Sequence, residues 1–322
     1  MELFPSNSNI NFMSARHVFV GLFTTLMLVA VVALATKGFN YALDFTGGTV
    51  VEIEFEKPAD VEGIRSRLDA AGYASPIVQT FGSGNDIVIR LQPPEMAEGA
   101  GPEAAPPAEQ AGTSILAVAQ TPDNPGRVIR SDFVGPQIGN ELALNGIYAA
   151  IFVTLGFLAY IAIRFEFKFA IAAVIATLSD VLVVCGWFAI TGHEFDLTVL
   201  AGILSVMGFS INDTIVVFDR VRENFRLLNK LDPKEVLNRS INQTLSRTII
   251  TSFVALLTVL ALYFFGGPSL KGMAESQIIG VVIGTLSSIL LACPILLLLG
   301  VTKQDLMPKA REDLEAELAR RP

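Results

Sequence analysis

Six apolar blocks constrain this chain more than anything else in it. They lie near residues 18–36, 143–163, 169–190, 197–218, 248–265 and 274–299. Each approaches the ~20 residues that an α-helix needs to cross a bilayer. Within hydrocarbon the backbone must satisfy its own polar groups, so such blocks read as helices. Charged residues make up only 17% of the chain, against about 25% in soluble domains, and they gather between the blocks. The predicted fold class is an α-helical polytopic membrane protein of six transmembrane helices, with a small α+β domain inserted after the first.

The expected organisation follows the blocks. Residues 1–17 form an N-terminal segment, polar and loosely ordered over 1–15, and 18–37 the first span. Residues 38–141 form the extramembrane domain, 142–300 a five-helix region and 301–322 a charged tail. Ala33-Leu34-Ala35 resembles a signal-peptidase site. Val18 to Ala35 is longer than the ~7–15 apolar residues of a signal peptide, which favours an uncleaved span. The connection from Asp219 to Arg247 is rich in Lys and Arg, and so is the tail. The opposite short loops, 191–196 and 266–273, hold only Lys271. The positive-inside rule then puts both termini in the cytoplasm and the inserted domain outside.

In that domain, Asp44, Gly47 and Gly48 form a structural turn into an alternating strand, Thr49–Glu56. The spacing predicts a helix over 60–71, strands over 76–81 and 86–91, and a further strand over 127–134. Val134 to Gly139 turns the chain back to the membrane. Residues 93–120, rich in Ala, Pro, Gly and Glu, read as a flexible linker. The domain is acidic and lacks the basic, aromatic-studded surface of a nucleic-acid binder. There is no nucleophile elbow and no metal-ligand spacing. Cys185 and Cys293 each fall inside a span. Neither an enzyme, nor a cofactor, nor a metal is expected. His193, alone in a short loop, reads as solvated.

The chemistry concentrates in Phe195–Asn224. Asn212 and Asp213 stand inside the fourth span, and an acid there is unfavourable by about 3 kcal/mol on insertion scales. Ionisable residues in spans usually mark ion pathways, so Asp213 is read as a proton site. Arg247 enters the next span at a similar depth and is expected to pair with Asp213 in one arrangement of the helices. Asp180, deeper in span three and without an obvious partner, is a secondary candidate. Ala201, Ser205, Gly208 and Asn212 share a stripe on span four. Gly280, Gly284 and Ser288 recur on span six. Small residues so spaced suit helix packing, within the chain or against a partner.

The motifs DFTGG (44–48), VGPQIG (134–139), GFSINDTIVVFDRVREN (208–224) and TLSRTIITS (244–252) resemble the six-span subunit of the SecD/SecF protein-export family. A weaker match is GTLSSILLACP (284–294). Together they cover nearly the whole chain. The resemblance implies an RND-type half and a bacterial inner-membrane location. It implies proton-driven help to export, with SecD, the SecYEG channel and YajC as partners, and unfolded secreted polypeptides, protons and membrane lipids as the other contacts. It assigns the proton path to Asp213 and Arg247. Where many relatives carry His-Asp in span three, this chain has Ser179-Asp180, so Asp180 lacks a neighbouring imidazole. An RND-type small-molecule exporter half and a passive scaffold subunit are the competing readings.

Overall fold

The computed structural model describes residues 10–73, 76–81, 84–91, 108–134, 136–228 and 231–302. The expectations for residues 1–9, for 93–107 of the linker and for the tail beyond Thr302 lie outside the described residues. The chain divides into two compact units. One is Tyr41–Tyr148, and the other takes the chain up to Asn40 and again from Ala149.

In chain order, a 3-10 turn at Phe12–Ala15 leads into α1 (Arg16–Thr36). Residues 10–15 are better ordered than their Asn- and Ser-rich composition suggested. Phe12 N donates to Asn238 Oδ1 at 2.8 Å, and Asn242 bonds both backbone groups of Ile10. Side-chain amides thus stand in for the hydrogen bonds that secondary structure would supply. After β1 (Asn40–Tyr41) comes a single helical turn, α2 (Leu43–Thr46), which carries Asp44.

The strand β2 (Gly48–Phe55) is central in a four-stranded antiparallel sheet. The order is β3-β4-β2-β5, with β3 at Ile77–Phe81, β4 at Asp86–Leu91 and β5 at Gly126–Val134. Between these strands lie α3 (Val61–Ala70) and α4 (Ala108–Ala119). Val51, Ile53 and Phe55 alternate inward and pack with Ile87 and Ile89, Ile64 and Leu68 of α3, and Ile115 and Ala119 of α4. The helix α4 replaces the second part of the expected linker. Its small and polar residues hide an apolar edge at Ile115, Leu116 and Ala119 that has a sheet to cover.

The glycine turn is sterically enforced. Gly47 and Gly48 have φ of 69° and 123°, and a side chain on Gly48 would overlap the Leu91 carbonyl. A methyl on Gly139 would lie 3.0 Å from Gly47 N, so the DFTGG and VGPQIG motifs touch. Gly48→Ala is expected to destabilise this unit by about 1–3 kcal/mol, the strain of a forced backbone conformation. Protease sensitivity of the Tyr41–Tyr148 unit in intact vesicles measures it. Unchanged sensitivity would remove the steric reading.

The remaining helices are α5 (Pro136–Arg164), α6 (Phe167–Thr191), α7 (Leu197–Leu227), α8 (Pro233–Phe265), α9 (Pro268–Leu290) and α10 (Ala292–Leu298), with the two-residue β6 (Glu194–Phe195) before α7. The helices α5 to α8 are longer than their apolar blocks, and the last block is divided between α9 and α10. Among the described residues, six helical stretches are long and apolar enough to cross a membrane, and the chain is a multi-pass membrane protein.

Three boundaries differ from expectation. The helix that carries span two begins at Pro136, inside the supposed turn, because a proline fits the first turn of a helix, while its apolar stretch, Glu141–Ile161, stays close to the expected 142–163. The supposed long loop from Asp219 to Arg247 is mostly helix. Phe225 on α7 and Val236, Leu237 and Ile241 on α8 are buried there, and Asn224 Nδ2 donates to Ser240 Oγ at 2.8 Å. The last span breaks at Leu291, ahead of Pro294. That proline has no N–H to give and its ring opposes the carbonyl four residues back.

Candidate functional site

The seam between α7 and α9 positions the site. A methyl on Gly202 would overlap Ser276, and one on Gly280 would overlap Val206. A methyl on Gly284 would stand 3.3 Å from Ser210 Cβ. Small residues let two backbones approach closely in a bilayer. On α7 the contact face within the chain is Gly202, Val206, Ser210 and Asp213. This lies one residue away from the stripe expected on span four. Ala201, Ser205 and Asn212 are exposed, and Gly208 meets only the Phe157 ring, 3.8 Å from where its Cβ would be. Composition cannot tell these neighbouring stripes apart, because both are small and they differ by about 100° of rotation.

The seam brings two acids together with six hydroxyls. Asp213 is 5% exposed. Its Oδ1 accepts from Thr248 Oγ1 of α8 at 3.0 Å, and its Oδ2 accepts from Ser288 Oγ of α9 at 2.6 Å. Asp180 of α6 is fully buried. Its Oδ2 accepts from Ser210 Oγ of α7 and from Ser287 Oγ of α9, the latter at 2.9 Å. Its Oδ1 is buried with no partner. Thr285 Oγ1 lies 2.7 Å from Ser252 Oγ, which continues the polar run towards α8. Four spans therefore converge on two hydrogen-bonded groups, one around each acid, which adjoin at the consecutive residues Ser287 and Ser288.

Arg247 does not ion-pair with Asp213 in this arrangement. It is exposed, and its charge acts on Asp213 only through space. Its neighbour Thr248 takes the inward position instead. Asn212, next to Asp213, points out of the seam. The structure thus brings together Asp213, Asp180, Gly284 and Ser288, while Asn212, Ser205 and Gly208 lie elsewhere on α7.

Sequence reasoning passed over Ser210, Thr248 and Ser287. Their signal was a hydroxyl three residues from an acid, or facing one across a stripe of small residues. It also passed over a cluster at the ends of α6 and α9. There His193 Nδ1 lies 2.7 Å from Glu275 Oε1, which also accepts from Trp187 Nε1 at 2.7 Å. Among the described residues no group of three or more His, Cys, Asp and Glu is arranged to hold a metal ion.

Chemically, a hydroxyl both donates and accepts. A carboxyl in contact with such groups can take up a proton on one oxygen while the hydroxyls reorient around it. Among the described residues neither acid has an ion-pair partner, so uptake of a proton breaks no salt bridge there.

The protein-export membrane protein SecD/SecF C-terminal family model matches residues 116–302, which is more than half of the chain. The chain belongs to the SecD/SecF protein-export family. The SecD/SecF GG motif model matches residues 32–59, around Gly47 and Gly48. The protein translocase subunit SecF of Pseudomonas aeruginosa is 42% identical over 308 residues, covering 94% of this chain and 96% of that protein. That of Escherichia coli O157:H7 is 41% identical, covering 91% and 88%. Among solved structures, the crystal structure of SecDF from Thermus thermophilus, described as a translocon-associated membrane protein, aligns with a TM-score of 0.79 at 34% identity. The alignment takes in 92% of this chain and 39% of the solved one. All the acids and hydroxyls of the seam fall within the region matched by the SecD/SecF model.

Proposed function

We propose that this chain is an accessory subunit of the bacterial Sec translocase which, with SecD, uses the proton gradient to help draw secreted polypeptides across the inner membrane. The observation that carries the reading is Asp213, buried and held by hydroxyls from two other spans. Protons enter at Asp213, with Asp180 as a second stop whose hydroxyl partner Ser287 adjoins Ser288, the partner of Asp213. Asn212 and Arg247 stand by the route, Arg247 to reach Asp213 when α7 and α8 shift. Both termini are cytoplasmic and the α+β unit is periplasmic, where its movement acts on the emerging chain. The SecYEG channel and YajC are the wider assembly. No covalent bond of the cargo is made or broken, so the protein works as a motor part and not as an enzyme. The gradient supplies about 2.3 kcal/mol per charge per 100 mV, enough to bias a conformational step.

Proteoliposomes holding this chain, SecD and SecYEG test the proposal. Proton entry, read by a pH-sensitive dye, is expected to rise while an unfolded secretory polypeptide is exported. Equal entry with and without the polypeptide, together with export indifferent to an uncoupler, would count against it.

A further inference from the structure

The groove between α1 and α9 takes no part in the seam of acids. Gly186 lets α1 settle onto α6, since even a methyl there would overlap Ala30. The crossings at Gly202 and Gly280 hold α9 against α7 instead. The helices α1 and α9 are thus drawn to different neighbours, and a cavity of about 370 Å³ remains between them with α6 as its floor. Its walls are apolar, with Val29 on α1, Gly186 and Trp187 on α6, and Ile278 and Val282 on α9 among them. Val29, Trp187 and Val282 stay exposed along it.

One end of this groove carries an ammonium and a carboxylate that do not answer each other. Lys37, at the end of α1, donates to the Ile190 carbonyl of α6 at 3.1 Å and meets no carboxylate among the described residues. Its other N–H donors remain. Across the groove stands Glu275 of α9, with its side chain 15% exposed. Its Oε1 accepts from Trp187 Nε1 at 2.7 Å and lies 2.7 Å from His193 Nδ1, which is also 2.9 Å from Oε2. A carboxylate offers about four acceptor sites, so Oε2 can take one more donor. No Lys or Arg among the described residues pairs with Glu275. Lys271, one turn earlier on α9, lies over the Tyr263 ring, 5.4 Å from its centroid. Trp187 and Ile190 belong to the same last turn of α6, so the ammonium and the carboxylate converge on it from the two walls.

Depth and charge identify the occupant. At about 1.5 Å per residue, Lys37 lies about 16 Å along α1 from Leu26, and Glu275 about 12 Å along α9 from Ile283. Half of the hydrocarbon core of a bilayer is about 15 Å. Trp187 marks the interface, where such rings gather. The groove therefore runs from the headgroup level to near the bilayer centre, in the leaflet from which the chain leaves for the Tyr41–Tyr148 unit. A headgroup that answers both walls must bring an anion to Lys37 and a cation with an N–H to Glu275. Phosphoethanolamine carries the two on one ethylene bridge. Phosphoglycerol has no cation, and the trimethylammonium of phosphocholine has no N–H to donate. We infer that the α1–α9 groove holds one phosphatidylethanolamine, with an acyl chain between Val29 and Val282, its phosphate on Lys37 and its ammonium on Glu275.

The test uses the full chain with SecD in nanodiscs of phosphatidylethanolamine, phosphatidylcholine and phosphatidylglycerol in equal amounts, followed by native mass spectrometry. One phosphatidylethanolamine per complex is expected to be retained in preference to both other lipids. Glu275→Gln keeps an acceptor for Trp187, and Lys37→Gln keeps a donor for Ile190. Each is expected to lower that retention about tenfold, the effect of losing a hydrogen bond between charged groups. Val282→Phe narrows the groove without touching charge and is expected to lower it as well. The mass of the complex in the same spectra shows that each variant is assembled. Equal retention of the three lipids, a preference for phosphatidylglycerol, or no change in either charge variant overturns the inference. So does loss in the charge variants with none in Val282→Phe, which means a headgroup contact outside the groove. Displacement by free phosphoethanolamine also overturns it, as does a photoreactive side chain at position 29 that labels SecD instead of lipid. Asp213 and Asp180 are untouched throughout, so this result is independent of the proton reading.

Discussion

Asp213→Asn is expected to reduce proton-dependent export by at least about tenfold, a rate change equivalent to 1.36 kcal/mol. The substitution preserves size and keeps one oxygen acceptor. The amide can still meet Thr248 and Ser288, because a hydroxyl accepts as well as donates. Packing of α7 against α8 and α9 is therefore retained, and what disappears is the capacity to gain and lose a proton. Proteoliposomes read proton entry and export together, while detergent-solubilised complex reports assembly with SecD. Normal assembly with both activities lost is the expected pattern. Thr248→Val and Ser288→Ala each remove one hydrogen bond to the acid, and each is expected to cause a partial loss. An Asp213→Asn variant that conducts and exports like the unaltered protein would end the proposal.

Gly280→Leu is expected to produce the largest loss of stability in the membrane unit. Even a methyl at this position overlaps Val206. Overpacking a tight contact destabilises by about 1–3 kcal/mol, and four added carbons at a backbone crossing lie at the upper end of that range. The same wedge moves Ser288 away from Asp213, so export falls with stability. A paired substitution separates sterics from other causes. Gly280→Ala alone is expected to lower the thermal midpoint in detergent. Gly280→Ala with Val206→Ala is expected to recover much of the loss, as a favourable interaction between contacting sites. Additive losses in the double variant would mean that the overlap is not the reason.

Hydropathy made the six spans legible because a bilayer demands a fixed length of apolar helix. Their true ends were not legible. Beyond the membrane, α7 and α8 continue as a pair whose buried residues, Phe225, Val236, Leu237 and Ile241, are interleaved with the arginines and glutamates that suggested a loop. The helix at Ala108–Ala119 escaped notice because tertiary cover for Ile115, not local propensity, stabilises it. Asp213 stood out because acids are rare in spans. Its hydroxyl partners did not, because serine and threonine are common there. The exposed position of Arg247 was beyond reach for a related reason. Depth follows from counting residues along a helix, whereas the direction in which a side chain points follows from which neighbour claims the inward face, and here Thr248 claims it.

Ser287 and Ser288 are consecutive, yet each grips a different acid. A single peptide unit is thus the shared handle of both carboxyls. Any screw motion of that helix must loosen or tighten the two grips in one stroke, so the occupancy of one acid is felt at the other without a direct contact between them. Combined substitutions at the two acids should accordingly depart from simple summation, and the sign of the departure would tell whether the pair fills together or by turns.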